Sequence, residues 1–255
     1  MPTVEWNKDS WGNMNNWEQS NDGEIWSSEW GNSNAQWAAT LYPRIQNFIP
    51  AGNILEIAPG LGRWTKYLLK YTANAYRGVD LVSDCVESCR KRFSHSSIDV
   101  KFIANDGKSL CDVADLKYDF IFSFDSLVHA GADILESYIT QILGGLLNIS
   151  GVCFLHHSNA KFAHKYNTVD TIPNLHQRDG GVSAELVAEY IERNNGKVLC
   201  QEIIPWGVDA CLDALTLFCH KDAPYENKKK RFFMNPDMMQ YEASYARRIF
   251  LNYTF

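Results

Sequence analysis

Seven short apolar runs recur along the chain: Asn53 to Ala58, Ala75 to Asp80, Val100 to Ala104, Tyr118 to Phe124, Gly151 to His156, Val198 to Ile204 and Ala214 to Cys219. Runs of this length, mostly bounded by Gly, Asp or Asn, read as buried strands. Helix-like stretches separate the early ones, at Arg63 to Tyr71, Asp84 to Phe93 and Ala132 to Leu147, and another follows at Ser183 to Asn194. Strands joined through helices run parallel, so the pattern predicts an α/β fold whose mostly parallel, seven-stranded sheet is covered by helices on both faces. Only Pro205 to Leu212 separates the last two runs, too few residues for a helical crossover, which predicts an antiparallel edge strand. Residues 158–182 lack periodicity and are expected to form a functional loop, a lid or insertion.

The ends of the chain differ from this body. Residues 1–32 hold five tryptophans (Trp6, Trp11, Trp17, Trp26, Trp30) and six acids against one base; of the 30 acids and 24 bases in all, 24 and 23 remain for residues 33–255. The expected organisation is a Trp-rich cap and helix over 1–48, a core over 49–222 and a C-terminal tail over 223–255 packing on the core. Within the first part Trp37, Leu41, Ile45 and Phe48 recur at helical spacing, with Pro43 placed to kink the helix. The cap rings serve either as packing or as substrate contacts. An almost neutral body offers phosphate backbones no field, so nucleic acid is not an expected partner, and the basic run Lys228 to Arg231 reads as a solvated loop. No apolar run is long enough to span a bilayer and Met1 to Lys8 lacks the pattern of a signal peptide, so a cytoplasmic protein with no membrane partner is expected. Seven cysteines without C-x-x-C spacing read as reduced thiols.

The strongest local signal is Ile54-Leu55-Glu56-Ile57-Ala58-Pro59-Gly60-Leu61-Gly62-Arg63-Trp64-Thr65. A buried strand ends in a glycine turn that opens a helix, so backbone N–H groups can approach a ligand closely. A dinucleotide fold would carry a third glycine where Trp64 and Thr65 stand, and Glu56 would repel a pyrophosphate while suiting a ligand with cationic groups. A nicotinamide oxidoreductase is therefore disfavoured.

On these residues the chain resembles the class I S-adenosylmethionine-dependent methyltransferases, whose first motif runs E-x-G-x-G-x-G. Glu56, Gly60 and Gly62 match, and Ala58 departs at the first glycine. The resemblance spans most of residues 50–220 and implies a Rossmann-like core with S-adenosylmethionine as cofactor. Asp80, ending the second strand, stands where the family holds the ribose hydroxyls; Asn105-Asp106-Gly107, after the third, stands beside the adenine. The implied cofactor contacts are Glu56, Ala58, Gly60, Gly62, Trp64, Asp80, Leu81, Asn105, Asp106, Gly107 and Phe124.

Ser123 to His129 resembles the O-methyltransferase pattern of a strand-ending acid followed four residues later by a histidine. Asp125 and His129 match, while Val128 replaces a second acid, so no metal site is expected. His156 and His157 end the fifth strand; alternation lets only one face the site, with His157 favoured and His156 left open. The implied catalytic residues are His129, His157 and Asp125, a neutral histidine taking the acceptor proton and contributing about 10² to 10⁴ in rate. The whole run resembles methyltransferases of bacterial surface-polysaccharide and sugar biosynthesis. It implies O-methylation of a small, sugar-like acceptor such as a capsule precursor or substituent, with a homodimer allowed. A methyltransferase of another natural product and a non-catalytic cofactor-binding subunit remain alternatives, since Ala58 and Val128 leave the pattern.

Overall fold

The computed structural model describes residues 2–19, 21–165, 177–206, 210–225 and 230–253. All seven expected strands form: β1 Ala51–Ile57, β2 Thr72–Asp80, β3 Asp99–Ala104, β4 Tyr118–Ser123, β5 Leu147–Ser158, β6 Gly196–Ile204 and β7 Asp213–His220. An eighth, β8 Arg231–Met234, comes from the tail, giving the order β3-β2-β1-β4-β5-β7-β6-β8. The antiparallel strand is not at the edge as expected. β7 inserts between β5 and β6, antiparallel to both, and β8 adds in parallel outside β6. Arg231 of the basic run therefore opens a strand, while Lys228 and Lys229 lie outside the described residues.

Alternation along the strands divides the core into two layers. Ile54, Phe120, Phe122, Val152 and Phe154 face one side, where Trp37, Leu41, Ile45 and Val86 cover them. Leu55, Ile57, Ile121, Cys153 and Leu155 face the other, under Leu135, Ile139, Val187 and Ile191. These covering residues sit on amphipathic helices. In Ala184–Arg193, the Ser183 hydroxyl caps the Leu186 N–H at 3.1 Å while Val187, Ala188 and Ile191 turn inward. The helical run 33–45 contains a π turn over Trp37–Leu41 just ahead of Pro43, whose missing N–H and ring disfavour a regular ladder there. No helix among the described residues is long and apolar enough to cross a membrane.

The cap lies across the carboxyl edge of the sheet as two helices, Val4–Gly12 and Met14–Gln19, and a 3₁₀ segment, Glu24–Trp30. Trp30 is fully buried and donates its indole N–H to Thr40 Oγ1 at 2.8 Å. The 166–176 centre of the 158–182 segment lies outside the described residues, but its ends are joined, Lys161 N–H to Val182 C=O at 2.9 Å.

Arg44 locks the tail to the core. Its guanidinium donates to Glu202 on β6 at 2.5 and 2.7 Å and to Glu242 of the tail at 2.7 and 2.9 Å, and Asn235 also donates to Glu202 at 2.7 Å. Removing the cation leaves two carboxylates facing each other with little water. Arg44→Ala is expected to lower stability by about 3 kcal/mol in urea unfolding and to expose residues 230–253 to limited proteolysis.

Candidate active site

A cavity of about 720 Å³ opens at the carboxyl ends of β1, β2, β3 and β4, within the ligand-site range of about 300–1,000 Å³. One wall comes from strand ends (Ala58, Gly60, Asp80, Leu81, Asn105, Phe124) and the facing wall from the cap (Thr3, Asn7, Trp11, Trp17, Trp26). Of the sequence-derived candidates, Ala58, Gly60, Trp64, Asp80, Leu81, Asn105, Gly107, Phe124, Asp125 and His129 line it; Glu56, Gly62, Asp106 and His157 do not.

Asp80 organises the turn. Its Oδ2 accepts the Gly60 N–H and its Oδ1 the Val82 N–H, each at 2.9 Å, so the carboxylate fixes the glycine turn to the end of β2. Burial raises its pKa against these bonds. Each carboxylate oxygen retains acceptor capacity, as paired ribose hydroxyls require. Beside it Leu81, Leu127 and Ile134 make an apolar slot, with Asn105 and Tyr138 at its polar rim. That slot suits a flat heteroaromatic ring, so the residues present fit an adenosyl group.

The turn itself departs from expectation. The Gly60 and Gly62 N–H groups donate to Asp80 and the Pro59 carbonyl rather than remaining open. Both glycines have positive φ, and a Cβ would meet the Trp17 ring at 2.5 Å over Gly60 and the Phe93 ring at 2.5 Å over Gly62. The missing side chains admit aromatic rings of this chain. Ala58, at the family's first glycine, keeps the left-handed φ of +58° that glycine would adopt freely.

Asp106 turns outward because its Oδ1 accepts the Lys108 and Ser109 N–H groups at 2.8 and 2.6 Å, closing an Asx-type turn; Asn105 takes its place in the wall. Glu56 shares the face of Ile54 and points into the core, accepting hydrogen bonds from Thr65 Oγ1 at 2.6 Å and from Tyr76 OH. The β5 register turns the two histidines to opposite faces, and neither lines the cavity. His157 lies on the far face, its ring between Thr216 Oγ1 at 2.7 Å and the Ser158 carbonyl at 2.8 Å, whereas His156 shares the face of Phe154 and packs on Phe124 and Trp206.

Asp125 sits at the end of β4 with φ +61°, its Oδ2 bound by Arg63 at 2.5 Å and its Oδ1 by the Trp206 indole N–H at 2.6 Å. Arg63 in turn lies over the Trp26 and Trp64 rings, 5.3 and 4.7 Å from their centroids. Asp125 does not reach the His129 ring. The Gln177 carbonyl does, at 2.9 Å from Nδ1. A carbonyl can only accept, so the proton is on Nδ1 and the lone pair is on Nε2, which has no hydrogen-bond partner among the described residues. Trp6 and Trp11 flank the ring at 5.9 and 5.5 Å. Burial foremost, with the Arg178 charge, lowers the His129 pKa and keeps the imidazole neutral at pH 7. Sequence reasoning had missed Arg63, Trp206, Arg178 and Asp213. Arg63 directly follows the glycine motif, while Trp206 lies in a stretch read as a connector.

The fold and its glycine turn define a class. Residues 54–146 match the model of a methyltransferase domain family, and the fold is shared with S-adenosylmethionine-dependent methyltransferases of known structure. Among solved structures it is similar to an S-adenosylmethionine-dependent methyltransferase from Clostridium acetobutylicum, at 14% identity and TM-score 0.56 over 74% of this chain and 92% of that one. A TehB-like S-adenosylmethionine-dependent methyltransferase from Corynebacterium glutamicum aligns at 17% identity and TM-score 0.53, over 81% and 95%. A glycopeptide N-methyltransferase, MtfA, solved with S-adenosylmethionine, aligns at 14% identity and TM-score 0.51, over 71% and 86%. No curated protein matches the chain.

Burial is the main cause that raises the Glu56 pKa from the ordinary 4.5 to about 7, opposed by the Thr65 and Tyr76 hydrogen bonds. A raised carboxyl pKa stabilises the fold fully below about pH 4.5 and less as pH rises through about 7. Glu56→Gln is therefore expected to gain on the wild type by up to about 3 kcal/mol between those limits, measured by urea unfolding across pH. A constant difference would show that the carboxyl titrates alike in the folded and unfolded protein.

Proposed function

We propose that the protein is an O-methyltransferase acting on a hydroxyl of a small polar acceptor, a sugar or surface-glycan precursor or substituent, with His129 as base. The observation that carries this reading is the neutral His129 ring at the cavity wall, with its proton held on Nδ1 by a carbonyl and its Nε2 lone pair without a protein partner. An acceptor hydroxyl can give its proton to that nitrogen as it becomes nucleophilic. Trp11, Trp26 and Trp206 supply faces on which an apolar sugar face can stack. The near-neutral body supports a small-molecule partner rather than nucleic acid.

S-adenosylmethionine, when bound, supplies a methyl carbon on a cationic sulfur that leaves as a neutral thioether. Asp80 would hold the ribose, the slot of Leu81, Leu127 and Ile134 the base, and the Ala58 to Gly60 turn the amino-acid end. Phe124, Trp64 and Trp206 exclude water at the β4 end, where positioning contributes most of the rate. Both Asp125 oxygens are engaged by Arg63 and Trp206, so this carboxylate orders the wall and is a poor candidate for a metal ligand.

Asp80→Ala is expected to weaken S-adenosylhomocysteine binding by about 10- to 100-fold in calorimetry, since hydrogen bonds to a charged group contribute roughly 1.5 to 3 kcal/mol. An unchanged affinity would remove Asp80 from the site. With an acceptor found by screening hydroxyl compounds for labelled methyl uptake, His129→Gln is expected to lower kcat by about 10² or more at unchanged cofactor affinity. Because the His129 pKa is lowered, wild-type kcat should stay flat at neutral pH and fall only once the pH drops below the usual histidine range. Full turnover in His129→Gln would leave positioning alone.

A further inference from the structure

The His129 ring is held from behind. Gln177, whose carbonyl takes the Nδ1 proton, has φ +60°, a left-handed backbone that a residue with a Cβ adopts when its surroundings impose it. The next residue is anchored. Arg178 donates from Nε to Asp213 Oδ1 at 3.0 Å and from Nη2 to Asp213 Oδ2 at 2.7 Å, and Nη2 also reaches the Trp206 carbonyl at 3.1 Å. Asp213, 0% exposed, is the first residue of β7.

The same carboxylate has a second arm. Its Oδ2 lies 3.2 Å from His156 Nε2, and His156 Nδ1 accepts the backbone N–H of Asp125 at 3.1 Å. Nδ1 is therefore the bare nitrogen, and the His156 proton is on Nε2, directed at Asp213. Asp125, at the end of this arm, also has a left-handed backbone, φ +61°. One buried carboxylate is thus wired to two left-handed residues of the wall, Gln177 and Asp125. Burial pushes the Asp213 carboxyl up, but the hydrogen bonds from His156 and Arg178 outweigh it and hold the pKa below the ordinary value, so the group is ionised at neutral pH.

We propose that Asp213 is the positioning residue of this site: through Arg178 and the Gln177 carbonyl it fixes His129 in the Nδ1–H tautomer, and through His156 it fixes the backbone of Asp125. The catalytic meaning of that tautomer rests on the reading of His129 as base; the tautomer itself does not. Apolar residues often replace a buried ion pair without loss of stability, but they cannot aim a carbonyl at one nitrogen of a ring. The charges that act on His129 are those of Arg178, Asp125 and Asp213, and its other neighbours are the Trp6 and Trp11 rings and Asn7, which donates to its backbone carbonyl at 3.1 Å.

The test is a two-bond ¹H–¹⁵N correlation spectrum of the imidazoles in the full-length protein with S-adenosylhomocysteine, His129 being assigned by its loss in His129→Gln. The wild type should show a protonated Nδ1 and a bare Nε2. In Asp213→Asn and in Arg178→Lys, which keeps the charge but loses the fork, the Nε2–H form should become the major one while S-adenosylhomocysteine affinity changes less than about threefold. A His129 signal that keeps the Nδ1–H tautomer in both variants overturns the proposal. If Asp213→Asn does not fold, the Arg178→Lys spectrum decides. Lost tautomer control together with full turnover in His129→Gln would uphold the role of Asp213 and reject only His129 as base.

Discussion

Two guanidinium–carboxylate pairs, the partly buried Arg63 with Asp125 and the buried Arg178 with Asp213, lie at the carboxyl edge of the sheet, and groups around the cavity depend on them. Ions taken out of water need compensation from geometry, and here the geometry is shared. Trp206 joins the pairs, its indole N–H given to Asp125 and its carbonyl taking Arg178. Arg63 also reaches the Gly23 carbonyl at 3.1 Å, so the cap is tied to the same arrangement. The pairs give the side chains that follow β4 and open β7 fixed partners.

Much of this fold was legible because burial on two faces leaves a plain trace. Each of the seven expected strands formed within a few residues of its apolar run, most of them because a strand covered on both sides must be apolar throughout; β3, at the edge, buries only Phe102. β8 left no such trace: Phe232, Phe233 and Met234 are exposed, and pairing to β6 rather than burial defines the strand. The position of β7 was equally hidden, because a short link sets the direction of the pair but not which member lies inside.

The site was legible where the backbone dictates function and illegible where side chains choose between partners. Asp80 lines the cavity because a strand-end acid beside a glycine turn meets backbone N–H groups there. Asp106, alike in sequence, was drawn outward by two N–H groups of its own turn, and Glu56 was turned inward by strand alternation. One residue of register separates His156 from His157, and only the pairing of β5 with β7 decides between them. Asp213 gave no signal at all, since an acid opening a strand after a turn is ordinary punctuation until its partners, 35 and 57 residues away, are in place.

The Trp17 ring seated over Gly60 bears on how such a chain can change. Turn and cap are two halves of one surface, because any side chain added at Gly60 must evict an indole. A cap borrowed from another protein would meet a turn shaped for different rings, and a turn borrowed from elsewhere would unseat this cap. The N-terminal segment is accordingly not an appendage on a finished scaffold: it is inherited with the turn, and diversity in what the cavity accepts has to arise in paired steps.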